Sequence, residues 1–171
     1  MKKILVAGVG NILRADEGVG VYLSREIRRK NIPQVQTEEI GTESWRLFSL
    51  AKDFPIVVLL DAMEMSDVAG KVGIWRDCEI CPPQPWSLHE VNFPGEVSLA
   101  RRLYGKPREF YLFGVQPADT EFGLGLSQVL QKKFPKITGQ LEQFIHILAT
   151  GKKSLQSYEN SFLLGSRCTR C

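Results

Sequence analysis

The sequence predicts an α/β fold, a three-layer α/β/α sandwich around a mostly parallel sheet of about five strands. Strand-like and helix-like segments alternate along the chain, the pattern that builds βαβ units. Two strand candidates, Ile56-Val57-Val58-Leu59-Leu60 and Phe110 to Val115, are apolar without interruption, as strands covered on both faces must be. The stretches between them repeat apolar residues every three to four positions, the period of a helix lying on a sheet.

The first strand is Ile4 to Ala7, and Gly8-Val9-Gly10-Asn11 follows it as a tight turn. Glycine permits a sharp reversal or a close backbone approach, and asparagine can bond its own backbone there. A helix is expected from Glu17 to Asn31, with Val19, Leu23 and Ile27 on its buried face and Pro33 ending it. Asp16 reads as its N-cap and Glu17 as a first-turn carboxylate, kept ionised by the helix dipole and so a ready metal ligand. The plainer alternative is that the pair only caps the helix. Val35 to Ile40 is the second strand, and Thr42 can cap a short helix from Glu43 to Ala51, buried through Leu47, Phe48 and Ala51.

Strand Ile56 to Leu60 ends in Asp61. The carboxyl ends of central strands form the edge where open α/β sheets place their ligands, so Asp61 and Glu17 are expected to converge there. Alternatively, Asp61 is simply a polar residue leaving the sheet. Val72 to Trp75 reads as an antiparallel edge strand. The proline-rich loop Cys81 to Trp86 then delivers Ser87-Leu88-His89-Glu90, and His89, one of two histidines, is either a binding group carried by the loop or an incidental loop histidine.

Pro94 and Gly95 open a helix through Tyr104, with Val97, Ala100 and Tyr104 on one face. The strand Phe110 to Val115 runs into Gly114-Val115-Gln116-Pro117, a second turn at the ligand edge. From Leu126 the pattern is helical to Phe134, where Pro135 is expected to break the helix or begin another through Ala149. Ile137, Leu141, Ile145 and Leu148 form the core face of that segment, and His146 beside them reads as structural or exposed.

The chain has 171 residues, suited to one domain over 1–150, followed by a mobile tail over 151–171. The net charge of +3 is spread over the sequence rather than gathered in an aromatic-laced stripe, so no nucleic-acid partner is expected. Lys2-Lys3 and the apolar run after it resemble a signal peptide superficially, but the run stops at the glycine turn. No apolar run reaches the ~20 residues of a membrane helix. A soluble, cytoplasmic protein without a membrane partner is the expectation.

Cys78/Cys81 and Cys168/Cys171 are two pairs of equal spacing. Zinc binding, redox chemistry and disulfides are all open to them, but the long interval between the pairs is unlike a zinc ribbon, so free thiols are favoured over zinc. A dinucleotide fingerprint at Gly8-Val9-Gly10 fails because its third glycine would fall on Leu13, and two carboxylates would face the pyrophosphate. One histidine and two carboxylates, His89, Glu17 and Asp61, suit a borderline ion such as nickel or zinc better than calcium.

Gly8-Val9-Gly10-Asn11-Ile12-Leu13, Asp16-Glu17, the Gly18 to Gly20 region, Asp61-Ala62, Ser87-Leu88-His89 and Gly114-Val115-Gln116-Pro117 together resemble the hydrogenase maturation endopeptidases. The resemblance covers about the first 150 residues. It implies an enzyme that removes a C-terminal peptide from the large-subunit precursor of a nickel-iron hydrogenase once nickel is in place. Glu17, Asp61 and His89 match the nickel-contacting positions, and the nickel is implied to arrive with the substrate. The sequence departs from the family at Ile40-Gly41-Thr42, where a Gly-Gly-Thr turn is usual. Hydrolysis could use a carboxylate to activate water while a metal polarises the scissile carbonyl, with Asp16, Asp61 or another group as the base. The alternative is a non-catalytic chaperone that inspects a nickel site with the same three residues.

Overall fold

The computed structural model describes residues 3–43, 45–65, 67–76 and 93–150. Their strands are β1 (Ile4–Val9), β2 (Val35–Gly41), β3 (Ile56–Ala62), β4 (Val72–Arg76) and β5 (Glu109–Val115). The helices are α1 (Val19–Lys30), α2 (Trp45–Ala51), α3 (Phe93–Tyr104) and α4 (Gln128–Thr150), and a short 3-10 turn, Ala15–Gly18, precedes α1. The five strands form one sheet in the order β2-β1-β3-β5-β4. Every pairing is parallel except β4 with β5, so the expected antiparallel edge strand is present.

Alternation along the strands divides the core into two layers. Ile4 and Val6 of β1, with Ile56, Val58 and Leu60 of β3, meet Val19, Leu23 and Ile27 of α1 and Ile137, Leu141 and Ile145 of α4. Leu5, Ala7 and Val9, with Val57 and Leu59, meet Leu47 and Ala51 of α2 and Val97 and Ala100 of α3. Successive strand side chains point to opposite faces, so a strand covered by helices on both sides must be apolar at every position. β3 is buried along its whole length for that reason.

From β1 the chain crosses outward to β2, and from β2 it crosses back past β1 to β3 on the other side. The carboxyl ends of β1 and β3 therefore flank a topological switch point, where an open sheet leaves a crevice. α1 packs closely over that point because Gly20 lacks a side chain: a Cβ there would collide with the carbonyl oxygens of Leu60 and Val9.

Several element boundaries depart from the sequence reading. The helix expected from Glu17 begins at Val19, because the preceding four residues wind more tightly as the 3-10 turn. Asp61 lies inside β3 rather than just beyond it, paired in register with Gly114. Pro135 neither ends nor starts a helix: α4 runs through it. Gln131, whose carbonyl loses its usual donor, is exposed like Pro135 itself, so water can satisfy the freed group while Leu130 and Ile137 keep the helix buried on its other side. Tyr104 is half exposed and sits against Phe48 with ring centroids 5.8 Å apart, instead of joining Val97 and Ala100 in the core.

Candidate functional site

The segment from Gly10 to Gly18 is a compact turn fixed mainly by backbone contacts. Gly10 N–H donates to Gly41 O at 3.0 Å, and Asn11 Oδ1 accepts from Leu13 N–H at 3.0 Å. Gly10 has φ +128, and a Cβ there would strike the carbonyl of Glu17. Glycine is thus needed for both conformation and space. Ala15 adopts φ +40, unusual for a residue with a side chain, and is held by its N–H bond to Gly123 O at 2.9 Å.

Asp16 is fully buried and does not cap α1; the residue at that helix's N-cap is Gly18. Its carboxylate turns instead towards the loop joining β5 to α4. Oδ2 accepts the backbone N–H of Ala118 at 2.9 Å and of Asp119 at 3.1 Å, while Oδ1 accepts that of Ser127 at 2.7 Å. The Asp16 N–H donates back to Asp119 O at 3.0 Å, Gly123 N–H to Leu13 O at 2.9 Å, and Arg14 Nε to Thr120 O at 3.1 Å. Ser127 serves α4 as well, its Oγ accepting from Leu130 N–H at 3.2 Å.

Glu17 is 4% exposed, and its carboxylate pairs with Arg14, Nη1 to Oε1 at 3.1 Å. The 3-10 turn that carries it packs against β3. Asp61 is fully buried on β3, where its Oδ1 accepts the Ala62 N–H at 2.8 Å. Both carboxylates thus belong to packed elements at the switch-point end of the sheet, on adjoining pieces of backbone.

A polar network continues the rim beyond Asp61. Gln116 Oε1 accepts from Met65 N–H at 2.6 Å, and its Nε2 donates to Glu64 Oε1 at 3.1 Å and to Pro117 O at 3.3 Å. The buried amide therefore orients an exposed carboxylate three residues past Asp61. Further out, Lys71 hydrogen-bonds Asp67 and, with the Val68 N–H, holds its carboxyl below the ordinary range.

His89 lies outside the described residues, as do Cys78, Cys81, Cys168, Cys171 and the segment 151–171. Among the described residues no group of three or more His, Cys, Asp or Glu is placed to hold a metal ion, and no helix is long and apolar enough to cross a membrane. His146 is exposed on α4. Sequence reasoning missed Arg14, although its three-residue spacing from Glu17 is a pairing signal in helical turns. It also missed the loop 117–127, whose backbone donors carry no side-chain signature.

A family model described as hydrogenase maturation protease matches residues 19–144. The chain belongs to the hydrogenase maturation protease family. Among curated relatives, it is 34% identical over 124 residues to the hydrogenase expression/formation protein HupD of Bradyrhizobium diazoefficiens, covering 70% of this chain and 65% of that protein. It is 30% identical over 153 residues to HupD of Thiocapsa roseopersicina, covering 86% of this chain and 68% of that one. The matched part thus spans about two thirds of the length of these relatives. The hydrogenase maturating endopeptidase HybD from E. coli shares the fold, with a TM-score of 0.71 over 87% of this chain and 94% of that one at 24% identity. Its likeness extends the maturation protease architecture to the described sheet and helices.

Proposed function

We propose that the protein is an endopeptidase of the cytoplasm that removes a C-terminal peptide from a nickel-loaded hydrogenase large-subunit precursor. Membership of the hydrogenase maturation protease family supports the reaction, and the observation that carries the site is Asp61, fully buried in β3 beside the turn that bears Glu17. In this reading Glu17, Asp61 and His89 contact the nickel held by the precursor, so that only a metal-loaded substrate is accepted. Imidazole and carboxylate ligands suit that ion. The nickel belongs to the substrate.

We assign water activation to Asp61 rather than Asp16, whose oxygens already accept three backbone N–H groups. A carboxylate within hydrogen-bond reach of water takes its proton as the oxygen attacks the scissile carbonyl. The C–N bond then breaks, and the departing amine receives a proton.

The test is incubation of the purified protein with nickel-loaded and nickel-free precursor, followed by mass measurement. Trimming of the loaded form alone is expected, with His89→Ala or Glu17→Gln weakening that preference by about 10- to 100-fold. Equal trimming of both precursors would overturn metal recognition, and binding without any shortened product would make the protein an inspecting chaperone.

A further inference from the structure

Asp16 is a fully buried carboxylate for which hydrolysis needs no chemical role. Its two oxygens take the N–H groups of Ala118, Asp119 and Ser127, which lie 102, 103 and 111 positions away. Around it, four more bonds join the same two segments: Ala15 N–H to Gly123 O, Asp16 N–H to Asp119 O, Gly123 N–H to Leu13 O, and Arg14 Nε to Thr120 O. Hydrogen bonds to an ionised acceptor are among the stronger ones, and removing the acceptor would leave several backbone donors without their partner.

The fastened loop has an unusual tip. Phe122 and Leu124 are 85% and 81% exposed, and Leu13 on the facing turn is 56% exposed. Arg14 lies 5.6 Å from the Phe122 ring centroid while also pairing with Glu17. The bond from Gly123 N–H to Leu13 O brings together the segments that carry Leu13, Phe122 and Leu124, so these exposed apolar side chains come from neighbouring backbone and offer a surface to another protein. We propose that Asp16 is a positioning residue whose carboxylate clamps the 117–127 loop onto the 11–18 turn, so that Phe122 and Leu124 meet the precursor beside Glu17. The kinetic part of this proposal rests on the endopeptidase reading; the clamp itself does not.

Amide hydrogen exchange and steady-state trimming test it together. In the wild-type protein the amides of Ala118, Asp119, Gly123 and Ser127 should be protected despite lying in a surface loop. In D16N they should exchange about tenfold faster or more, the equivalent of losing a charge-assisted bond, while β1 and β3 keep their protection. KM for the nickel-loaded precursor should rise by about tenfold while kcat and its pH profile hold within about twofold, because lost positioning of a docking loop weakens uniform binding. Phe122→Ala and Leu124→Ala should raise KM in the same way, and they carry the kinetic test if D16N does not fold. Unprotected loop amides in the wild type, unchanged exchange in D16N, or unchanged KM in the tip variants would overturn the proposal. So would a collapse of kcat at constant KM in D16N, which would place the carboxylate in the chemistry. Should the wild type trim no precursor, the endopeptidase reading fails, and the exchange measurements still decide the clamp.

Discussion

Arg14 Nη1 lies 3.1 Å from Glu17 Oε1, and the pair spans the protein surface: the arginine side chain is 40% exposed and the glutamate side chain 5%. On the proposed reading, a metal-bearing substrate would meet at Glu17 a carboxylate whose charge is already partly compensated. Arg14→Ala should strengthen the binding of free Ni²⁺ several-fold by removing a competing cation, and should cost more stability than the ~1 kcal/mol of a surface pair, because it takes a cation away from a nearly buried carboxylate. Titration calorimetry and thermal melting measure the two effects. Weaker nickel binding would show that Arg14 orients Glu17 instead of competing for it.

Asp61→Asn should lower kcat for precursor trimming by about 100- to 10,000-fold, the range ascribed to a positioned general base. The substituted amide keeps an oxygen to accept the Ala62 N–H, a bond of 2.8 Å in the native protein. Melting curves beside the kinetics separate a lost base from a lost fold. A variant that retains more than a tenth of the wild-type kcat would remove Asp61 from the role of base.

Gly20→Ala tests the close seating of α1 over the switch point. The added methyl would meet the carbonyl oxygens of Leu60 and Val9, both backbone atoms of the central sheet. Overpacking of this kind costs about 1 to 3 kcal/mol, because the helix must move and the core with it. Urea unfolding should show a lower midpoint, and an unchanged midpoint would mean that α1 shifts without loss.

Arg25 and Glu39 link α1 to β2, with Arg25 Nη2 donating to Glu39 Oε2 at 2.8 Å. That hydrogen bond, against opposing desolvation and with the charges of Arg25 and Arg28 assisting, holds the Glu39 carboxyl below its ordinary range. A carboxyl lowered in the folded state stabilises the fold above its unfolded pKa, and the contribution disappears as pH falls through the folded value. Glu39→Gln should thus lower the melting temperature by a constant amount above about pH 5, and the difference should vanish in stronger acid, since unperturbed glutamate titrates near 4.3. Melting curves across that range check it, and a gap that persists undiminished in strong acid would assign the effect to packing.

The fold was legible because its signals are local. β3 and β5 announce themselves as unbroken apolar runs, and α1 as a four-residue repeat of Val19, Leu23 and Ile27. Asp61 could be placed at the ligand edge from its position at the end of such a run. Asp16 could not be read in the same way. A carboxylate at a helix start looks like a cap, and its actual donors are main-chain groups that any residue but proline supplies. Pro135 misled for a related reason: the cost of a proline depends on whether the carbonyl it frees faces water, which the local sequence does not record. Tyr104 follows the helical period of Val97 and Ala100, yet it rests on Phe48 of the neighbouring helix and stays half exposed.

The bond between Asp16 and Ser127 also sets an order of assembly. Asp16 is synthesised more than a hundred residues before its amide donors. β1, β2 and β3 can pair as soon as they are made, because each lies in the first 62 residues. Contacts so distant in the chain close late, since the intervening loop must first give up its freedom. A nascent chain therefore carries Glu17 and Asp61 on a growing scaffold before the rim around them is closed, and the completed surface exists only after the start of α4 has been added.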